Sequence, residues 1–182
     1  MTRAPSQVHQ NYQRECEAAI NWQIHFELYA ASVYFSMAYH FDREDVGLKN
    51  FANYFLGRWR EKHEHTEKLL ALQNQRGGHI HLGDISRPAA DEWGSGLNAM
   101  KFAFHLERTL NQSLLSLYWL AYSQDDMQLC GLLESRFLHK QVRTIKELGG
   151  HVSNLSSQED AGLAEYRFHK LSLGDSDSDK EN

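Results

Sequence analysis

The 182-residue sequence predicts an all-α protein, a four-helix bundle with one long crossover and a short fifth C-terminal helix. Three observations point there. Pro5 and Pro88 are the only prolines, so stretches of more than 30 residues run without a strong helix breaker. Apolar residues recur in alternating steps of three and four, the period of a helix face rather than a strand. The breaks between the periodic stretches run short, long, short, which is the spacing of two helical hairpins joined by a crossover.

The first segment, about 13–42, carries Ile20, Ile24, Glu27, Ala31, Tyr34 and Ala38 on one stripe, and FDREDVG turns the chain after it. The second, about 49–77, aligns Leu48, Ala52, Phe55, Trp59, Lys62, Thr66 and Leu69. The connection GGHIHLGDISRPAADEWGSG follows, twenty residues rich in glycine and broken by Pro88; a loop that long must travel. The third segment, about 96–125, aligns Leu97, Met100, Phe104, Glu107, Asn111, Leu114, Tyr118 and Ala121. The fourth, about 128–157, aligns Leu138, Gln141, Ile145, Leu148, Val152 and Leu155, and a short helix is expected over 162–172. This organisation predicts an N-terminal tail over 1–12, one bundle domain over 13–173, and a disordered acidic tail, GDSDSDKEN, over 174–182.

Composition excludes several functional classes. Cys16 and Cys130 lie in no metal-type spacing and are too few to staple a secreted fold, so they read as two unpaired thiols in a reducing compartment. The first residues lack a signal-peptide core, and the longest nearly apolar run, LLSLYWLAY, is too short to cross a bilayer. A formal net charge of −5 supplies no basic footprint for nucleic acid. The expectation is a soluble cytoplasmic protein, with the nucleus also open to it, that binds neither nucleic acid nor membrane.

Each long segment nevertheless carries a polar intruder on its inward stripe: Glu27, Lys62, Glu107 and Gln141, with His65 one turn beyond Lys62. Isolated charges in a bundle core are costly, so a converging set calls for mutual pairing or for a metal. Carboxylates with one imidazole suit iron or manganese better than a thiolate-seeking metal. Di-iron sites in bundle cores draw a Glu from each of two helices and Glu-x-x-His from each of the others. Here residues 62–65 read Lys-His-Glu-His, so a lysine stands where that motif has its carboxylate.

The segments NYQRECEAAIN, FELYAASVYFSMAYHFDR, LQNQRGGHI, SGLNAM, HLERTLNQSLL, TIKELGGHVSNL and GLAEY, spread over residues 7 to about 175, resemble a mammalian ferritin heavy chain. LESRFLHKQVRTIKELGGHVSNL, with Lys62, is most similar to the divergent heavy-polypeptide-like 17 group of that family. The resemblance implies a ferritin-like bundle that assembles, as a homo-oligomer or with other ferritin chains, into a shell of 24 subunits storing ferric mineral. It implies oxidation of ferrous iron by dioxygen at a di-iron ferroxidase site inside each heavy-type bundle. By that likeness Glu27, His65 and Glu107 match metal ligands, Glu61 matches an auxiliary metal-binding carboxylate, and Tyr34 and Gln141 match positions around the site. Lys62 replaces the glutamate shared by both irons. Lysine there is a feature of light chains, yet light chains lose the glutamate at 27 and the histidine at 65 that this sequence keeps.

Charge decides between these features. Glu27, Glu61 and Glu107 with Lys62 sum to −2, whereas a glutamate at 62 would bring −4 to meet two ferrous ions at +4. An ammonium about 6 Å from a divalent ion repels it by roughly 5 kcal/mol at an effective dielectric near 20. The expected function is therefore an iron-storage shell subunit whose ferroxidase remnant binds iron weakly and has little or no activity. By the same resemblance Glu61, Glu64 and Glu67 face the cavity and seed mineral. Gly131 and Glu134 match the acidic pair of the three-fold pore, so half its lining is missing and iron access slows. Leu163, Arg167 and Leu171 match the four-fold axis, where Arg167 replaces an apolar residue. Two alternatives stay open: an active heavy-chain-type ferroxidase in which Glu61 rotates to replace the lost bridge, and a shell kept for a non-iron role.

Overall fold

A computed structural model describes residues 6–88, 90–157 and 161–173. The expected acidic tail over 174–182 and the first five residues lie outside the described residues. Four long helices form an all-α bundle. Helix α1 is Arg14–Asp42, α2 is Lys49–Gln75 and α3 is Gly96–Ser123. Helix α4 runs continuously as an α-helical segment, Met127–Leu133, one π-helical turn, Glu134–Leu138, and a second α-helical segment, His139–Ser156. The short α5, Ala161–Arg167, passes into a π-helical turn, Phe168–Ser172. Helices α1 and α2 form one hairpin and α3 and α4 the other, and α1 also packs on α3. No helix among the described residues is long and apolar enough to cross a membrane.

Local chemistry sets the helix ends. Glu15 and Glu17 place negative charge in the first turn of α1, where the helix dipole favours it. Ser95 caps α3 by accepting from the Asn98 N–H at 3.2 Å, and Asp126 caps α4 by accepting from the Leu129 N–H at 3.1 Å. Helix α2 stops two residues before the sequence-based boundary because Gly77 takes φ 74°, outside the right-handed helical region. A side chain there would also meet the backbone of His9 at 2.9 Å. The crossover is pinned to α1 by the Trp93 indole, which donates to Ser36 Oγ at 3.0 Å.

The predicted inward stripe of α1 is buried throughout, whereas that of α4 is rotated at its start. Leu138 and Ile145 are half-buried, and Phe137 and Thr144 take the buried positions beside Gln141. The π turn is the reason. Leu129, Leu133, Phe137 and Gln141 follow steps of four, which drift by about 40° per step in a regular α-helix. The wider π turn absorbs that drift and keeps all four pointing inward.

The apolar core falls into two clusters. One holds Phe41, Phe51, Phe55, Met100 and Leu148, and the other holds Ile20, Ile24, Leu69, Leu114, Leu133 and Phe137. Between them lies a layer containing Glu27, Lys62, His65, Glu107 and Gln141, all buried. The four long helices thus bring their polar intruders to one depth.

The C-terminal segment closes the end of the bundle where α2 and α3 begin. Phe168 packs on Phe51 and on His151, with ring centroids 5.7 and 5.0 Å apart. Glu165 Oε2 accepts from the Gly96 N–H at 2.5 Å. His169 Nε2 accepts from the Asn50 N–H at 3.0 Å, satisfying one of the orphan donors in the first turn of α2. That nitrogen must be unprotonated to accept. Burial, and then the neighbouring Lys170, hold the His169 pKa below its ordinary value, against the opposing pull of Glu165. A histidine depressed on docking contributes stability above the ordinary imidazole pKa of about 6.5, and loses it as pH falls through the depressed value. Lowering the pH from 7.5 to 5 should therefore reduce the protection factor of the Asn50 amide, taken against the intrinsic exchange rate at each pH, and ease proteolysis within 165–173. His169→Gln, whose amide oxygen can accept the same bond, should flatten this dependence.

Candidate functional site

The polar layer is built around one ammonium. Lys62, on α2, has no solvent exposure. Its Nζ donates to Glu107 Oε2 on α3 at 2.9 Å and lies 3.6 Å from Glu27 Oε2 on α1. A buried lysine without partners would give up its proton. Burial does act that way here, but the Glu107, Glu27 and Glu61 carboxylates outweigh it and hold the Lys62 pKa above its ordinary value. The cation is a fixed part of the core.

Both carboxylates are engaged, Glu107 the more fully. Glu107 Oε1 accepts from the Tyr34 hydroxyl at 2.6 Å, and its Oε2 accepts from the Gln141 amide at 2.9 Å as well as from Lys62. Gln141 also donates to the Glu107 backbone carbonyl at 3.1 Å, so α4 grips α3 twice at this level. Burial, and then the negative charge of Glu107, push the Tyr34 pKa well above its usual value. Tyr34 is thus a fixed donor. Glu27 Oε1 accepts from Gln23 at 3.2 Å, and Gln23 in turn accepts from Ser113 at 2.6 Å. Burial opposes ionisation of Glu27, but Lys62, His65 and Gln23 together hold its pKa below the usual carboxylate value.

His65 and Glu27 are the less saturated side of the layer. The His65 Nδ1 lies 3.6 Å from Glu27 Oε2. Neither His65 nitrogen, nor Glu27 Oε2, has a hydrogen-bond partner among the described residues. The imidazole is held by packing instead, edge-on against Phe137 at 5.2 Å between ring centroids. Buried polar atoms without partners are uncommon, and three of the five among the described residues sit on the two residues that flank the ammonium.

Glu61 stands apart from this layer. It is half-buried, and its Oε2 accepts from Arg58 Nη1 at 2.8 Å. Burial opposes its ionisation, but Arg58, then Lys62 and His65, hold its pKa below the usual range. Its charge is felt at the centre although its hydrogen bond points elsewhere. Glu64 and Glu67, one turn and two turns along, are exposed, as are Gly131 and Glu134 at the start of α4 and Arg167 on α5. The side chains of Leu163 and Leu171 lie outside the described residues.

Sequence reasoning missed several supporting residues. Gln23 lies four residues before Glu27, a spacing that was open to inspection, but a glutamine on a helix face gives no signal of burial. Arg58 reads as an ordinary surface charge until Thr144 and Glu147 of α4 are seen beside it. Phe137 was hidden by the π turn.

Among the described residues, no three His, Cys, Asp or Glu side chains are arranged to hold a metal ion. The donor types fit iron, but their arrangement does not fit a pair of ions: Lys62 spans the gap between Glu27 and Glu107 that two ions would share. The model of the ferritin-like domain of the ferritin family matches residues 17–157. The chain belongs to the ferritin family.

Removing the ammonium while keeping the shape isolates its contribution. Lys62→Met should destabilise the protein by about 3–5 kcal/mol at neutral pH, the usual result of leaving buried charge without its partner. Denaturant unfolding should show this loss shrinking as pH falls below the ordinary carboxylate value of 4.5, because Glu27, whose pKa Lys62 holds down, sheds its charge on protonation.

Proposed function

We propose that the chain is a subunit of an iron-storage shell, of the heavy-chain type in its ligand remnants, in which oxidation of ferrous iron at the bundle centre is impaired. The observation that supports this reading is the Lys62 ammonium, fully buried, 2.9 Å from Glu107 and 3.6 Å from Glu27. Each ferrous ion yields one electron, and dioxygen is reduced most readily when two ions are held together. An ammonium between the carboxylates opposes that in two ways: it repels divalent cations, and it occupies the oxygens that would bind them. Glu27 Oε2 and the His65 imidazole, the unsaturated pair, leave room for one weakly held ion and slow turnover.

The rest of the reading follows the family. Subunits assemble with themselves or with other ferritin chains, 24 to a shell, in the cytoplasm, and ferric mineral collects inside. The exposed Glu64 and Glu67 form the acidic face that seeds it, with Glu61 at its edge. Gly131 beside Glu134 leaves the three-fold pore short of negative charge, which slows the arrival of cations.

Aerobic oxidation of ferrous salt, followed by ferric absorbance, tests the proposal. Lys62→Glu should oxidise iron at least tenfold faster than the unaltered protein. Equal, rapid rates in both would overturn the reading. Supplied with an active heavy chain, the unaltered subunit should still appear in mineral-filled particles.

A further inference from the structure

We infer that Arg58 is a positioning residue that holds Glu61 out of the bundle centre, a second cationic lock beside Lys62; this rests on the reading of the centre as a remnant oxidation site. Arg58 lies four residues before Lys62, one helical turn away, and is only 8% exposed. Its guanidinium is spent entirely on neighbours. Nη1 donates to Glu61 Oε2 at 2.8 Å and to Thr144 Oγ1 at 3.2 Å. Nη2 donates to Glu147 Oε2 and, at 3.2 Å, to the Tyr54 hydroxyl. Nε reaches the same hydroxyl at 3.3 Å. A planar fork that joins a carboxylate on α2 to one on α4 is a use of arginine that lysine cannot copy.

The geometry makes Glu61 and Glu147 competitors for one cation. Glu147 holds a further partner, His151 Nε2, 3.5 Å from its second oxygen. The neighbouring His151 imidazole and then Arg58, with burial opposing, push its pKa down to about 2. Both carboxylates are therefore charged, and both lean on Arg58. Glu61 is the one within electrostatic reach of Lys62 and His65. For it to turn toward them, Arg58 must lose an anion while remaining largely buried. The two cations divide the local carboxylates between them: Lys62 takes Glu27 and Glu107, and Arg58 takes Glu61 and Glu147. Substituting Lys62 alone opens only the first lock.

Cobalt(II) titration reads this without iron chemistry. Calorimetry and the visible cobalt spectrum would be recorded for Lys62→Glu, for Arg58→Gln with Lys62→Glu, and for Glu147→Gln with Lys62→Glu. Binding that survives an added His65→Ala is assigned to the surface and subtracted. The Arg58→Gln double variant should hold two ions per chain at least tenfold more tightly than Lys62→Glu, because Glu61 is free to turn. Glu147→Gln should act in the opposite direction, since an arginine with one anion left grips Glu61 harder; binding at least threefold weaker than in Lys62→Glu is expected. Equal affinity and stoichiometry in Lys62→Glu and the Arg58 double variant would overturn the inference, and so would unchanged or tighter binding on Glu147→Gln. The Glu147 variant keeps the test decisive if loss of Arg58 prevents folding. Two ions bound tightly at the bundle centre of the unaltered protein would sink the proposed function instead, which separates the two failures.

Discussion

A primary ammonium with no access to water must be met by negative charge, and the middle of this bundle is organised around that requirement. Lys62 draws Glu107 from α3 to 2.9 Å and Glu27 from α1 to 3.6 Å. Gln141 reaches in from α4 to the same carboxylate, and Tyr34 closes its other oxygen. All four long helices thus meet through one charge. Such a layer is weak as a source of net stability, because desolvation of the ions offsets most of their attraction. It is strong as a constraint on register. A helix that slid by one turn would strand its carboxylate in one of the two apolar clusters.

The apolar clusters on either side give the layer its environment. Phe55 and Met100 on one side, and Leu69 and Phe137 on the other, are fully buried and exclude water from the ions. Exclusion of water strengthens each interaction and raises the cost of any atom left unpaired. Three such unpaired atoms, both nitrogens of His65 and Oε2 of Glu27, lie together beside the ammonium. The ammonium seated between Glu27 and Glu107 halves the negative charge that a glutamate at 62 would offer to a pair of added cations, and this links the fold to the storage function proposed for the chain.

Arg58 extends the same logic one turn along α2. The centre has two buried or nearly buried cations on one helix, each claiming carboxylates from a neighbouring helix. Each cation offsets one of its two carboxylates, so with histidine neutral each arrangement keeps a net charge of −1. The C-terminal segment shows the complementary use of polar groups: Glu165 and His169 answer the orphan N–H groups where α3 and α2 begin, and so tie the short fifth helix to the bundle.

Much of this was legible in the residue order. Helical period, scarcity of proline and the unequal connections determined the four-helix bundle with its crossover, because each depends on neighbours within a few positions along the chain. Spacing also placed Glu27, Lys62, Glu107 and Gln141 on inward stripes and showed that a cation had come to stand among carboxylates. Tertiary structure decided the rest. Whether Lys62 would lie nearer Glu107 or Glu27, whether Glu61 would face the centre or Arg58, and which side of α4 would turn inward past the π turn depend on distances between helices and on the rotamers that fit between them. Those quantities are set by packing across the bundle, between residues as far apart in sequence as Arg58 and Glu147, and periodicity along a single helix carries no record of them.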